Sequence, residues 1–188
     1  DHEGYIEALA ASVASYWGAH GRGEKLVMSF HGVPKRTLLL GDPYHCECHR
    51  TARLLAARLR LTPDQYLVTF QSRFGRAEWL QPYTAPTVQQ LARDGVKRID
   101  VMCPAFPRNC LTTLAKQTME VRHDFESNGG QDYHYIPCLN DNAAWIVGMA
   151  EIAEQHLIGW PTRLTPAQRE AQRRDADIAR EHAVRLGA

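Results

Sequence analysis

Four short apolar runs, each breaking off at a polar residue, a proline or a leucine, recur along this chain at a nearly even interval. That rhythm restricts the fold more than any other feature. The runs cover residues 25–30, 65–70, 98–103 and 133–138, and their exits fall at His31, Gln71, Pro104 and Leu139. The exits lie roughly 30–40 residues apart, the length of a strand with its helical crossover. A helical pattern over residues 5–17 precedes the first run and closes at Gly21-Arg22-Gly23. Asp42-Pro43 opens a second helix through about residue 60, residues 84–94 form a third stopped by Gly95, and residues 108–128 form a long fourth ending at Gly129-Gly130. Asp141 or Asn142 caps a fifth to about residue 157. Each assignment rests on helical spacing with a capping or breaking residue at the end. Crossovers of this length join parallel strands in a right-handed sense, so the expected fold class is α/β, an open parallel sheet flanked by helices. Ligands of such sheets bind outside the carboxyl ends of the strands. His31, Gln71, Ser72, Arg73, Phe106 and Asn140 are expected there.

Composition fits this reading. The chain has 188 residues, 44% hydrophobic and 23% charged, which suits one well-buried domain. No apolar run approaches the roughly 18 residues of a membrane span, so no transmembrane segment is expected. A net charge of +1 gives no pull on nucleic acid, and none is expected as a partner. The five cysteines, Cys46, Cys48, Cys103, Cys110 and Cys138, are odd in number and scattered, which argues for reduced thiols. The chain opens on Asp1, and residues 5–17 read as a helix and not as a signal peptide, so the expectation is a piece of a cytoplasmic protein. Residues 1–160 are expected to form the α/β domain. Residues 161–188 are expected to form a charged helical tail, because Arg169, Glu170, Arg173, Arg174, Asp175, Asp177, Arg180, Glu181 and Arg185 leave little apolar surface.

The exits themselves carry ordered motifs: Ser29-Phe30-His31-Gly32-Val33-Pro34, Gly41-Asp42-Pro43-Tyr44, Phe70-Gln71-Ser72-Arg73-Phe74-Gly75 with Trp79-Leu80-Gln81-Pro82-Tyr83, and Tyr135-Ile136-Pro137-Cys138-Leu139-Asn140. Together they resemble the ferrochelatases, lyases that insert ferrous iron into protoporphyrin IX in the last step of haem biosynthesis. The likeness runs over about residues 1–160, leaves the tail outside, and covers half of the family's length. It implies one Rossmann-like, chelatase-type domain, matching the C-terminal member of the family's pair. A missing N-terminal half-domain, or a second copy of this chain, would then supply the opposite wall of the porphyrin cleft.

The resemblance also implies roles. His31 matches the active-site histidine, as proton acceptor or as iron ligand, and imidazole chemistry suits both. Ser29, Gln71, Ser72, Arg73, Trp79, Tyr83, Phe106 and Cys110 are implied to bind porphyrin. Trp79 and Tyr83 would supply apolar wall, and Arg73 or Arg76 would pair with a propionate. The departure is Thr112, which stands where the family carries a catalytic glutamate, with Asn109 in place of Asp and Lys116 in place of another acid; only Glu120 restores the acidic stripe. Threonine is neutral and a weak metal ligand, so impaired insertion is expected. The alternatives are a non-catalytic porphyrin- or haem-binding homologue, or a half-protein dependent on its partner domain. No tightly bound cofactor is expected, with iron entering as substrate. A 2Fe–2S cluster is disfavoured because no cysteine follows Cys138. His45, Cys46, Cys48 and His49 invite a metal reading, although C-x-C is not a zinc-knuckle spacing.

Overall fold

The computed structural model describes residues 1–109, 119–160 and 163–187. Strand β1 (Lys25–His31) pairs in parallel with β2 (Tyr66–Gln71) on one side and with β3 (Arg98–Met102) on the other, and β3 pairs in parallel with β4 (Asp132–Tyr135). The order is therefore β2-β1-β3-β4, all parallel, as the crossover lengths require. In register, Ser29 faces Thr69, Phe30 faces Phe70 and His31 faces Gln71.

Period-two alternation divides the core between the two faces of the sheet. Leu26, Met28 and Phe30 pack with Phe70 against α1 (Glu3–His20) and α3 (Tyr44–Arg58). Val27 packs with Ile99, Val101 and Tyr133 against α4 (Thr84–Arg93) and α5 (Val121–Glu126). Spacing within the helices explains the match: Leu9 and Val13 on α1, Cys48, Ala52, Leu55 and Ala56 on α3, Val88 and Ala92 on α4, and Val121 and Phe125 on α5 are all buried. Phe30, Phe70 and Phe125 are each at most 2% exposed, and full burial of such a side chain stabilises by about 1.5–3 kcal/mol. The switch between faces falls at β1, whose outgoing crossover lies on one side while those of β2 and β3 lie on the other. This puts the exit of β1 at the centre of the carboxyl edge.

Three differences from the sequence expectation have physical causes. A short helix, α2 (Lys35–Leu39), follows Pro34 where the sequence reading assigns no element; its turn is fixed by Thr37 N–H donating to the Pro34 carbonyl at 2.9 Å. Pro107 and Arg108 are bends and Asn109 is in no helix, being held instead by Asn140, so no helix starts at Arg108; residues 110–118 of the expected helix lie outside the described residues. The fourth strand stops at Tyr135, because Pro137 has no N–H to extend the ladder after Ile136 donates to the Val101 carbonyl at 2.8 Å. As expected, Asn142 opens the next helix, α6 (Ala143–His156), accepting from the Trp145 amide at 3.1 Å.

The chain divides into two compact units, Asp1–Met149 and Ala150–Ala188. In the first, the turn of α6 at Gly148 comes so close to Gly4 that a Cβ there would lie 3.1 Å from the Gly4 carbonyl carbon. In the second, α7 (Pro166–Arg185) begins on a reciprocal cap between Thr165 and Gln168 and carries the spaced ion pairs Glu170–Arg174 and Glu181–Arg185. These exposed pairs contribute only a few tenths of a kcal/mol each. Among the described residues, no helix is long and apolar enough to cross a membrane.

Candidate active site at the carboxyl edge of the sheet

His31 ends β1 and is exposed, with a wall of rings around it: the centroids of Trp79 and Phe106 both lie 6.2 Å from the imidazole. Its backbone is fixed by β2 and by Tyr44, whose hydroxyl donates to the His31 carbonyl at 2.8 Å. The ring is oriented as well. Nδ1 lies 2.6 Å from the Gly32 carbonyl oxygen, and a carbonyl only accepts, so Nδ1 carries the proton. In the neutral ring this leaves the lone pair on Nε2, the form that accepts a proton or ligates a metal. Gly32 leaves no slack next to it, since a Cβ there would stand 2.9 Å from the Gln71 carbonyl and 3.1 Å from the Trp79 ring.

Trp79 is held by the loop that carries it. Leu80 N–H donates to Val33 at 3.0 Å, Lys35 N–H donates to Glu78 at 2.8 Å, and Phe70 N–H donates to Pro82 at 2.8 Å, which stitches residues 78–82 onto the exits of β1 and β2. Tyr83 closes the loop, its hydroxyl accepting from the Trp79 amide at 3.3 Å. The indole Nε1 is buried without a hydrogen-bond partner among the described residues.

Two recesses open on the carboxyl edge. Gln71, Ser72, Arg73 and Tyr83 line one of about 200 Å³, together with Glu120 from a π-helical turn at Met119–Glu120. There the Arg73 guanidinium lies over the Tyr83 ring at 5.6 Å, and Gln71 donates to the Cys103 thiol at 3.5 Å. The other recess, about 510 Å³, is bordered by Tyr5, Phe30, Tyr44, Pro104, Pro107 and Trp145. Burial, with Cys138 as a lesser cause, pushes the Tyr5 phenol well above its usual range, and its hydroxyl donates to the Pro104 carbonyl. Sequence reasoning missed this second recess and missed Tyr44 as the anchor of His31. The Gly41-Asp42-Pro43-Tyr44 motif was the available signal, since it seats an aromatic hydroxyl in the first turn of α3.

Other candidates fall elsewhere. Ser29 is fully buried beneath the edge, 2.9 Å from the Thr84 hydroxyl, which in turn donates to Thr69 at 2.9 Å. Cys110 and Thr112, with Lys116, lie outside the described residues. Asn140, at φ 50, accepts from the Asn109 amide at 2.9 Å through its side chain, and Asn109 accepts from the Cys138 amide at 3.3 Å, so the loops after β3 and β4 are clamped together. Cys46 and Cys48 do not face one another: Cys46 is exposed, whereas Cys48 sits in the core with its thiol pushed up to about 11, chiefly by burial. Among the described residues, no three His, Cys, Asp or Glu side chains converge as a metal site.

The model of the ferrochelatase family matches residues 1–157. The chain belongs to the ferrochelatase family. Proteins named ferrochelatase from Janthinobacterium sp. (strain Marseille) and Herminiimonas arsenicoxydans are 65% and 64% identical over 188 residues, all of this chain and 51% of each relative. One from Polaromonas sp. (strain JS666 / ATCC BAA-500) is 54% identical over the same 188 residues, 50% of its length. The chain thus spans about half the length of the curated ferrochelatases it matches. The family model ends at residue 157, near the expected limit of the likeness at about residue 160, while alignment with these relatives runs on through residues 161–188.

Proposed function

We propose that this chain is the C-terminal half of a ferrochelatase, which with a matching N-terminal half, or a second copy, inserts ferrous iron into protoporphyrin IX. The observation that carries this is His31 at the centre of the carboxyl edge, its Nδ1 committed to the Gly32 carbonyl and its ring 6.2 Å from those of Trp79 and Phe106. Insertion requires two pyrrole N–H protons to leave as the metal enters. The His31 Nε2 lone pair suits accepting one of them, or holding the incoming ion. Trp79, Phe106 and Tyr83 suit the apolar face of a tetrapyrrole, Gln71 and Ser72 offer polar contacts, and Arg73 suits a propionate, with Ser29 backing the pocket and Cys110 as a further proposed contact. The test is a porphyrin titration followed by a metal-insertion assay, with the N-terminal half of a relative supplied. Porphyrin should bind saturably, and His31→Ala should slow insertion by ~10²- to 10⁴-fold while sparing binding. Insertion unaffected by His31→Ala would overturn the assignment.

A second reading, a porphyrin-binding homologue with impaired insertion, is favoured by Thr112. If the missing carboxylate is the defect, Thr112→Glu in the two-half assembly should raise insertion by at least ~10-fold with porphyrin affinity unchanged. No gain, with fold and binding intact, would sink it.

A further inference from the structure

His45 and His49 are four residues apart on α3, the H-x3-H spacing that puts two imidazoles on one helix face. Their ring centroids are 4.5 Å apart at 51°, so the rings lean on one another without stacking flat. Both pack over Phe70, at 5.7 Å and 6.2 Å, which fixes their rotamers against a fully buried surface. Neither ring makes a hydrogen bond to any described residue, so all four ring nitrogens keep their donor or acceptor capacity. Both side chains are only half-buried. Burial first, and then His45 and Arg53, hold the His49 imidazole below its usual range.

The pair sits close to the proposed reaction centre. His45 lines a recess of about 250 Å³ that it shares with Glu78, Gln81 and Trp79, the same Trp79 whose ring stands 6.2 Å from His31. Tyr44, next in sequence to His45, is the residue that anchors the His31 carbonyl. Two imidazoles suit a borderline-soft divalent ion. With no third His, Cys, Asp or Glu joining them among the described residues, water would complete the shell and the ion would exchange readily.

We propose that His45 and His49 clamp a divalent transition-metal ion and, resting on the function proposed above, that this clamp stages ferrous iron before it reaches His31. Titrate the whole chain with Co²⁺ and follow its visible absorption. One equivalent should bind at the pair, with affinity falling at least ~10-fold in His45→Gln and in His49→Gln, the lower end of what even an outer-shell change costs, while Cys46→Ser leaves it unchanged. Unchanged affinity in both histidine variants, or loss in His31→Ala alone, would overturn the clamp. A measurement on the unaltered chain guards against misfolded variants: saturating Zn²⁺ should protect His45 and His49, but not His123, from acylation by diethyl pyrocarbonate, and equal labelling with and without Zn²⁺ would also overturn it. In the two-half assembly, His49→Gln should raise the KM for iron at least ~10-fold with kcat little changed, and an unchanged KM would remove the staging role. Co²⁺ held by the pair in a chain that binds no porphyrin would leave the clamp standing and remove the function on which staging rests.

Discussion

Gly32 is the tightest point beside His31. Its missing Cβ is replaced by the Gln71 carbonyl at 2.9 Å and the Trp79 ring at 3.1 Å, so Gly32→Ala must part the β1 and β2 exits or push the indole aside. The expected cost is about 1–3 kcal/mol of stability, as for other overpacked sites, with a matching drop in porphyrin affinity. Chemical denaturation and a porphyrin titration read both, and wild-type values for the two would show that the gap relaxes freely. His49 gives a pH signature. Its folded-state value is depressed, so the native chain binds fewer protons than the unfolded one as pH falls below ~6.5, and stability is lost over that descent. The drop in Tm between pH 7.5 and 5.5 should therefore be shallower in His49→Gln, and equal slopes would contradict it. At this scale His31 was legible because it ends an apolar run. Its tautomer was not, since that depends on a carbonyl one residue away whose direction the sequence does not encode.

At the scale of elements, buried apolar runs made all four strands legible, because a strand covered on both faces must be apolar on both. The ends were less so. Pro137 stopped β4 early, and the Asn109–Asn140 clamp took up residues that read as the start of a helix; neither signal is periodic. Helix α2 escaped notice because five residues with Leu39 76% exposed have no buried stripe to detect. A hydroxyl chain joins three elements, Ser29 on β1, Thr69 on β2 and Thr84 at the start of α4. Thr84 is its middle member and 2% exposed, so Thr84→Val keeps the shape and strips partners from two buried hydroxyls. That variant should lose about 1–3 kcal/mol, and more than Ser29→Ala, which removes a terminal member. Thermal unfolding ranks the two, and the opposite ranking would show that Ser29 and Thr69 satisfy each other directly.

For the molecule as a whole, the α/β class and parallel order followed from crossover length, while the second recess arises where α1, α3, α6 and the loop after β3 come together, a meeting of distant segments that no local pattern announces. The strand order has a further consequence, for synthesis. β1 is made first yet occupies an inner position, so both of its edges wait for later chain: one for Tyr66–Gln71, the other for Arg98–Met102. Until then a strand with Leu26, Val27, Met28 and Phe30 uncovered has unpaired backbone on offer while the ribosome is still working, and such edges invite association with other chains. Nascent chains stalled with residues up to 71 outside the exit tunnel should be protease-sensitive and bound by chaperone, those with residues up to 102 outside partly protected, and those past 135 fully so. Protection complete at the first stall would mean that two strands and the α1–α3 face suffice. If it arrives in these steps, slowing translation between the codons for residues 71 and 98 should lower soluble yield more than slowing it after 135, so codon choice in that stretch becomes a handle on expression that no substitution in the protein supplies.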